Sequence, residues 1–229
     1  MDYTFKYELV DGHIIVNDGP SRLLIDTGSP ITVSDRAKIS FCGRSFQTVT
    51  CFAGTSLAQL SKWVGTPVDL LVGVDILNNF DMQINPANET LLVSDEPLLL
   101  SGERLTLEEL AGIPIIKGII GTAEVLMYFD TGAKLSYFTP EVTGNLHSVG
   151  TAEDFYPGFG PFRTPLFDVQ IALGAELILI RAGNLPTQLQ TMLRAATADG
   201  ILGSAVMRSH EVLFAPRRKS LSLQRLTTL

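Results

Sequence analysis

The heptapeptide LLIDTGS, residues 23–29, returns in the second half of the chain as MYFDTGA, residues 127–133. Each copy places Asp-Thr-Gly directly after three apolar residues, a pattern that predicts a buried strand running into a tight turn. Average residue usage gives only about 0.05 Asp-Thr-Gly triplets by chance in a chain of this length. Two copies in the same context therefore indicate an internal repeat.

A second motif repeats in the same order along the chain. Leu71-Val72-Gly73 follows the first triplet, and Ile201-Leu202-Gly203 follows the second. The interval between triplet and motif is longer in the second half, which predicts an insertion there. We therefore predict an N-terminal lobe over residues 1–100, a connection over 101–111 and a C-terminal lobe with an insertion over 112–229.

The residue pattern between these motifs predicts an all-β fold. Short β-branched or aromatic segments bounded mostly by Gly or Pro indicate strands; they cover residues 12–16, 22–25, 115–120, 125–129, 166–173 and 176–180. Helical pattern is scarce. One turn is predicted over 106–110, where Thr106 and Glu109 have the spacing of a capping box. One helix is predicted over 185–195, with Pro186 at its start, inside the insertion.

Composition excludes several functional classes. The chain has 17 Lys and Arg against 24 Asp and Glu, a net charge of −7, which argues against nucleic acid as a partner. The first residues lack the basic and apolar regions of a signal peptide. No apolar run approaches the roughly 20 residues of a membrane helix. We therefore expect no nucleic-acid or membrane partner and a cytoplasmic location.

Neither metal nor cofactor motifs are evident. The three histidines, His13, His147 and His210, are far apart in sequence and show no metal-ligand spacing, so no metal is expected. Gly158-Phe159-Gly160 begins a Gly-x-Gly pattern but lacks the third glycine of a dinucleotide loop. With no phosphate-binding loop either, no cofactor is expected.

Three further features favour structural interpretations. Cys42 and Cys51 could pair across a hairpin, but two buried free thiols are the favoured prediction. Trp63 is predicted to lie in the core or to wedge between the lobes rather than to form a substrate subsite. The basic run 217–219 is predicted to be a solvated hairpin tip rather than a binding patch.

The repeated motifs resemble those of the aspartic peptidases, in particular retropepsin-like halves fused into one pepsin-like chain. The resemblance spans about residue 10 to residue 224 and rests on these stretches: Asp26-Thr27-Gly28-Ser29, Asp130-Thr131-Gly132-Ala133, Leu71-Val72-Gly73 and Ile201-Leu202-Gly203. It implies two β-barrel lobes with pseudo-two-fold symmetry and a catalytic pair, Asp26 and Asp130. It also implies that Thr27 and Thr131 brace the two loops, and that the apolar-apolar-Gly segments pack behind them.

The chemistry of such a pair explains the residue types. Gly28 and Gly132 allow each chain turn to be sharp, so that each carboxylate projects from a rigid loop. Two carboxylates about 4 Å apart repel by about 4 kcal/mol at an effective dielectric near 20, which separates their titrations by about three pKa units. One proton is then shared. The ionised partner activates a water, and the protonated partner donates to the developing oxyanion.

The predicted function is therefore that of an aspartic endopeptidase acting on peptides or unfolded protein, as a monomer because both halves of the pair lie in one chain. A different class remains open: a non-catalytic peptide-binding or dimerisation module on the same fold. A third alternative is two unrelated β domains with chance triplets.

The two loops differ at their fourth residue. Ser29 could donate a hydrogen bond from its hydroxyl to Asp26, whereas the Ala133 side chain offers nothing to Asp130. Since a donor to the charged form lowers a pKa, the sequence predicts that Asp26 carries the charge and that Asp130 holds the proton.

A flap is predicted over residues 155–162 of the second half, with Phe155, Tyr156, Gly158, Phe159 and Gly160 as candidates for hinging or contacting substrate. The alternative is a surface turn whose aromatic side chains pack into the core. The equivalent stretch of the first half, residues 50–56, is short, which predicts a reduced flap or none there.

Overall fold

The structure is a computed structural model that describes residues 1–226, and most of the chain forms β-strands. The last three residues of the predicted second lobe, 227–229, lie outside the described residues. All six predicted strand segments form strands; five lie within longer elements, and the sixth, 12–16, begins one residue before β2, since Gly12 lies in the preceding turn. The predicted all-β class is confirmed, and strands dominate both halves of the chain.

The elements of the first half are short and follow one another closely. They are β1 (Asp2–Val10), β2 (His13–Asp18), β3 (Ser21–Ile25), β4 (Val33–Ser34), β5 (Lys38–Phe41), β6 (Arg44–Gln47), β7 (Cys51–Phe52), β8 (Thr55–Ser56), α1 (Leu57–Val64), β9 (Leu70–Val72), α2 (Val74–Leu77), β10 (Asp81–Asn85) and β11 (Thr90–Ser94).

The second half contains longer strands. Its elements are β12 (Glu103–Thr106), β13 (Glu108–Leu110), β14 (Ile113–Ile120), β15 (Ala123–Phe129), β16 (Ser136–Phe138), α3 (Pro140–Thr143), β17 (Gly150–Tyr156), β18 (Gly160–Leu173), β19 (Glu176–Asn184), α4 (Thr187–Ala195), β20 (Gly200–Leu202), a 3-10 turn (Ser204–Arg208), β21 (His210–Ala215), a 3-10 turn (Pro216–Arg218) and β22 (Ser220–Arg225).

Two large sheets organise these strands. A ten-stranded sheet has the order β12-β22-β21-β10-β11-β1-β2-β3-β9-β4, and an eight-stranded sheet has the order β13-β14-β15-β20-β16-β19-β18-β17. The first sheet contains strands of both halves, because β10 pairs antiparallel with β21 in a register that places Met82 opposite Phe214. A single apolar core cluster includes Phe80 and Met82 of the first half and Phe129 and Phe214 of the second. The two halves are therefore joined by backbone pairing and by a shared core.

The connection between the halves is more ordered than predicted. The predicted helical turn over 106–110 is wrong, since Leu105 pairs with Leu221 and Glu109 pairs with Pro114 across antiparallel strands. The backbone N–H and C=O groups of this segment form hydrogen bonds with neighbouring strands of both sheets, so they do not need a capping box. Strand pairing therefore outweighs the capping-box spacing of Thr106 and Glu109.

Helix α1 was not predicted, although its sequence carries the usual signals. Ser56 is the N-cap and its hydroxyl accepts from the backbone N–H of Gln59 at 3.4 Å, and Gly65 ends the helix with φ 81°. The buried face is formed by Leu57, Leu60 and Val64, a spacing of three and four. The helix was missed because it is short and follows a two-residue strand directly.

The predicted helix over 185–195 is confirmed as α4, but its placement inside an insertion is wrong. Helix α4 leads into β20 just as α1 leads into β9, so the two helices are counterparts. The extra length of the second half lies instead in the long strands β17, β18 and β19. Strands β17 and β18 form a long hairpin whose tip contacts the first half.

Two smaller predictions also need correction. Both cysteines are free, but only Cys42 is buried and Cys51 is exposed. The basic run at 217–219 lies at the turn of the β21–β22 hairpin, as predicted, and Arg217 and Lys219 are exposed. It is not merely solvated, however, because Arg217 and Arg218 both form ion pairs with Asp81, whose side chain is completely buried. A buried carboxylate requires such partners, since leaving it unpaired would be costly. These ion pairs connect the turn after β21 to the first residue of β10.

Candidate active site

Each Asp-Thr-Gly loop leaves the end of a central strand. Strand β3 runs parallel to β9 and strand β15 runs parallel to β20. The ladder continues one residue beyond each strand: Asp26 N–H donates to the Val72 carbonyl at 3.0 Å, and Asp130 N–H donates to the Leu202 carbonyl at 3.0 Å. The repeated apolar-apolar-Gly motifs, 71–73 and 201–203, thus hold the two aspartates in equivalent positions.

The glycines of those motifs allow the loops to pack tightly. A side chain at Gly73 would overlap the Ile31 carbonyl, and one at Gly203 would overlap the Leu135 carbonyl. Each glycine N–H donates to a buried hydroxyl, that of Thr32 at 3.0 Å in the first half and that of Ser136 at 3.1 Å in the second.

Sequence reasoning missed these two hydroxyl residues. Their signal is a Ser or Thr at the same offset after each Asp-Thr-Gly triplet, within an otherwise mostly apolar stretch. The offset becomes informative only once the strand pairing behind the loops is known.

The two threonines connect the loops across the molecule. Thr27 N–H donates to the Thr131 hydroxyl at 3.0 Å, and Thr131 N–H donates to the Thr27 hydroxyl at 2.9 Å. The same hydroxyls donate onward at 2.7 Å, Thr27 to the Phe129 carbonyl and Thr131 to the Ile25 carbonyl. Both side chains are completely buried. Four reciprocal hydrogen bonds therefore fix the distance between the loops.

These four hydrogen bonds of Thr27 and Thr131, which we call the brace, hold the Asp26 and Asp130 carboxyls close together. We call Asp26 and Asp130 the dyad. Gly28 lies against the Asp130 carboxyl and Gly132 lies against the Asp26 carboxyl, so closely that a methyl group at either glycine would overlap the acid. Both carboxyls are partly exposed, and they line the same cavity. Two aspartates far apart in sequence thus form one site.

The pKa of both dyad carboxyls is raised, in each case chiefly by removal from water. The pKa of Asp26 is raised well above its usual range because the Asp130 charge adds to that desolvation. Asp130 is held closer to the ordinary range by backbone N–H donors, including Gly132 at 2.8 Å and Ala133 at 3.1 Å. Both carboxyls therefore hold a proton more readily than an isolated aspartate does, and the two N–H donors favour the charged form of Asp130.

The donor that the sequence-based hypothesis gives to Asp26 is absent. The Ser29 hydroxyl donates to the Ile31 carbonyl at 2.8 Å, so the predicted hydrogen bond to Asp26 was wrong. Ala133 contributes through its backbone N–H, which no comparison of side chains could reveal. The main chain of each loop, rather than the fourth side chain, supplies the donors.

A hairpin of the second half covers the dyad. Strands β17 and β18 pair from Gly150 to Leu166, with the tip at residues 157–159. The tip reaches the first half, where Gly158 N–H donates to the Thr55 hydroxyl at 3.1 Å. Phe155 stacks on Trp63 with ring centroids 5.0 Å apart. We call residues 155–162 the covering hairpin.

The candidate flap residues divide into different roles. Phe155 packs onto the first half through Trp63, which lies at the contact between the two halves. Tyr156 lines the cavity at the dyad, and burial together with the Asp130 charge raises its pKa to about 12, which keeps its hydroxyl protonated. Phe159 is exposed, and Gly158 and Gly160 adopt φ of 79° and 97°, which glycine accommodates readily.

The first half contributes only a short hairpin at the equivalent place. Strands β7 and β8 have two residues each, and their hairpin supports the tip of the covering hairpin through Thr55. Cover over the dyad therefore comes from the second half.

The cleft has two compartments that meet at Asp130 and Tyr156. Beneath the covering hairpin lies a cavity of about 70 Å³ that both dyad residues line, roomy enough for water. An apolar groove of about 280 Å³ continues along α4, lined by Leu185, Leu189 and Met192. Sequence reasoning identified the dyad but missed this groove and the polar residues of the cavity, His13, Lys134, Tyr137 and Asp154.

Within residues 1–226, no cluster of His, Cys, Asp and Glu side chains could hold a metal ion, and no helix is long and apolar enough to cross a membrane. No protein-family model and no curated protein matches this chain. Function is therefore inferred from the geometry of the dyad and its cleft.

Proposed function

We propose that this protein is an aspartic endopeptidase, built of two retropepsin-like lobes in a pepsin-like chain, that hydrolyses peptide bonds with a water activated by Asp26 and Asp130. One observation carries the proposal: two carboxyls with raised pKa line one cavity, on loops locked by four reciprocal threonine hydrogen bonds. Structural ion pairs do not account for this arrangement, since no cation neutralises the pair among the hydrogen bonds of the described residues.

The proposed reaction assigns one role to each carboxyl. Asp130, ionised, accepts a proton from the water while the water oxygen attacks the carbonyl carbon of the scissile bond. Asp26, protonated, donates to the carbonyl oxygen as negative charge develops there. The resulting tetrahedral species collapses as the carbon–nitrogen bond breaks and the nitrogen takes up a proton from the dyad. Protons and electrons balance without a further reactant.

The shape of the cleft supports a peptide substrate. A groove of about 280 Å³ beside the dyad is lined mainly by apolar side chains and suits an extended chain with a large apolar residue. The covering hairpin lies over the cavity that both carboxyls line and contacts Thr55 and Trp63 of the first half. We propose that it lifts from these two residues to admit the substrate. Both carboxyls belong to one chain, so we propose that a cytoplasmic monomer is the active form.

Cleavage of a proteome-derived peptide library tests the proposal. The wild-type protein should cleave, and D26N and D130N should each lose at least about 10³-fold in kcat/KM, because half a dyad cannot both activate water and donate a proton. D168N is the matched control: Asp168 is exposed and, among the residues that the structure describes, its side chain pairs only with Arg181, so activity should be unchanged.

Cleavage that survives either dyad substitution would overturn the proposed chemistry. Peptide binding by the wild-type protein without any turnover would instead assign the fold to a non-catalytic peptide-binding module.

A further inference from the structure

A buried histidine faces the dyad cavity with one ring nitrogen unused. His13 is 2% exposed, and its Nδ1 bonds to the Gly132 carbonyl at 2.8 Å, in the loop that carries Asp130. A carbonyl only accepts, so Nδ1 carries the proton. His13 Nε2 is buried and finds no hydrogen-bond partner within residues 1–226. Buried polar atoms are rarely left unpaired, and His13 lines the cavity.

Charged groups of both signs surround the same end of the cavity. Lys134 Nζ bonds to Asp11 at 2.7 Å and lies 3.9 Å from Asp154. The Asp154 carboxylate accepts from the Tyr137 hydroxyl and from the Phe155 N–H, and its side chain is only 5% exposed. Lys134 and Asp154 also line the cavity. The Phe155 ring of the covering hairpin lies 5.7 Å from the His13 ring, so Nε2 becomes reachable when the hairpin lifts. With the hairpin lifted, this end of the cavity offers an acceptor at His13 and an ammonium donor at Lys134.

We propose that this polar end is a substrate subsite for a carboxamide side chain, Asn or Gln, whose N–H donates to His13 Nε2 and whose oxygen accepts from Lys134. The inference rests on the proposed function, since it specifies the substrate of the same cleft. It makes the cleft asymmetric: the apolar groove along α4 takes a large apolar residue, and the His13 end takes an amide.

Other side chains fit this end less well. A carboxylate has no hydrogen to give Nε2 and would face Asp11 and Asp154. A cationic side chain would approach the Lys134 ammonium. An apolar side chain would leave Nε2 without a partner, which a site built for hydrogen bonding disfavours. Burial lowers the pKa of His13, which favours the neutral ring and an accepting Nε2.

Matched peptides test the inference. A cut-site map first identifies the residue that occupies the polar end, and peptides with Gln, Glu or Met at that position are then compared in kcat/KM. The same peptides are measured for binding to D26N, which does not require turnover. We expect Gln to exceed Met and Glu about tenfold in both measurements.

Substitution of the histidine assigns the preference. In H13N the amide nitrogen can still donate to the Gly132 carbonyl, while the acceptor at Nε2 is gone, so the preference for Gln should fall to about twofold or less. H147N, at an exposed histidine, is the matched control and should keep it. K134M gives a second test should H13N fail to fold, and it should also reduce the preference because the ammonium donor is lost.

The outcomes separate the two proposals. Cleavage with equal rates for Gln, Glu and Met would overturn the subsite and leave the peptidase intact. A Gln preference in binding that H13N removes, without any cleavage by wild type, would support the subsite and overturn the peptidase. A preference that persists in both H13N and K134M would overturn the assignment of the amide to these residues.

Discussion

The loops of Asp26 and Asp130 share one backbone but hold their acids differently. Each aspartate N–H donates to the strand behind it at 3.0 Å, and each threonine bonds across to the other loop. The Asp130 carboxyl, however, accepts from both Gly132 and Ala133, whereas the Asp26 carboxyl accepts from Gly28. A symmetric scaffold thus gives the two acids different main-chain donors, and the additional donor favours the charged form of Asp130.

The strongest test of the shared backbone uses its two glycines. In G28A and G132A the added methyl group would overlap the opposite carboxyl, so both variants should lose activity about as completely as D26N and should unfold more easily by about 1–3 kcal/mol. Library cleavage and denaturant titration measure both effects. G121N, in an open turn with φ 62°, is the control and should stay close to wild type.

A smaller but symmetric effect is expected for the brace. T27V and T131V each leave a buried N–H and a buried carbonyl without their partner, which should lower the free energy of unfolding by about 2–4 kcal/mol. T27S and T131S keep the hydroxyl and should cost much less. Unequal losses between the two valine variants, by more than about 1 kcal/mol, would show that the brace is not reciprocal.

The raised dyad pKa values predict a pH-dependent stability. Above about pH 4 the unfolded chain has released these protons while the folded dyad still holds one, so stability should fall as pH rises through the folded pKa. The difference in free energy of unfolding between D26N and wild type should therefore grow with pH, by up to about 1.4 kcal/mol per unit in that window. Parallel stability curves would contradict the raised pKa.

The smallest effect is expected at the fourth residue of each loop. Because the Ser29 hydroxyl bonds to Ile31 rather than to Asp26, S29A should leave the acidic limb of the pH–rate profile within about 0.3 units of wild type, and A133S should do the same. A shift of the acidic limb by a full pH unit in S29A would show instead that the Ser29 hydroxyl donates to Asp26 and stabilises its charged form.

The repeated motifs could be predicted from the sequence, whereas the contacts that only the tertiary fold creates could not. The two Asp-Thr-Gly copies and the apolar-apolar-Gly motifs pointed to the dyad, since identical local patterns fold alike. The order of proton affinity could not be predicted, because it depends on backbone N–H groups such as that of Ala133. His13 was missed for a related reason: its role depends on the Gly132 carbonyl, which only the tertiary fold brings near.

Tertiary pairing also overrode local signals elsewhere. The capping spacing of Thr106 and Glu109 lost to strand pairing with β22 and β14. From the sequence, the extra length of the second half can be located only between Asp130-Thr131-Gly132 and Ile201-Leu202-Gly203, and helix α4 lies in that interval. The structure shows that α4 has a counterpart, α1, in the first half. The ion pairs of Arg217 and Arg218 with Asp81 could not be predicted, because Asp81 is far from both residues in sequence.

The titration of the two dyad carboxyls by carbon-13 NMR tests the central claim most directly, with D130N used to assign the Asp26 signal. We expect the Cγ shifts of Asp26 and Asp130 each to follow the same two steps, with the higher step well above the ordinary carboxyl range and expressed mainly at Asp26. Two independent single-step titrations near pKa 3.8 would contradict a shared proton, and with it the catalytic pair.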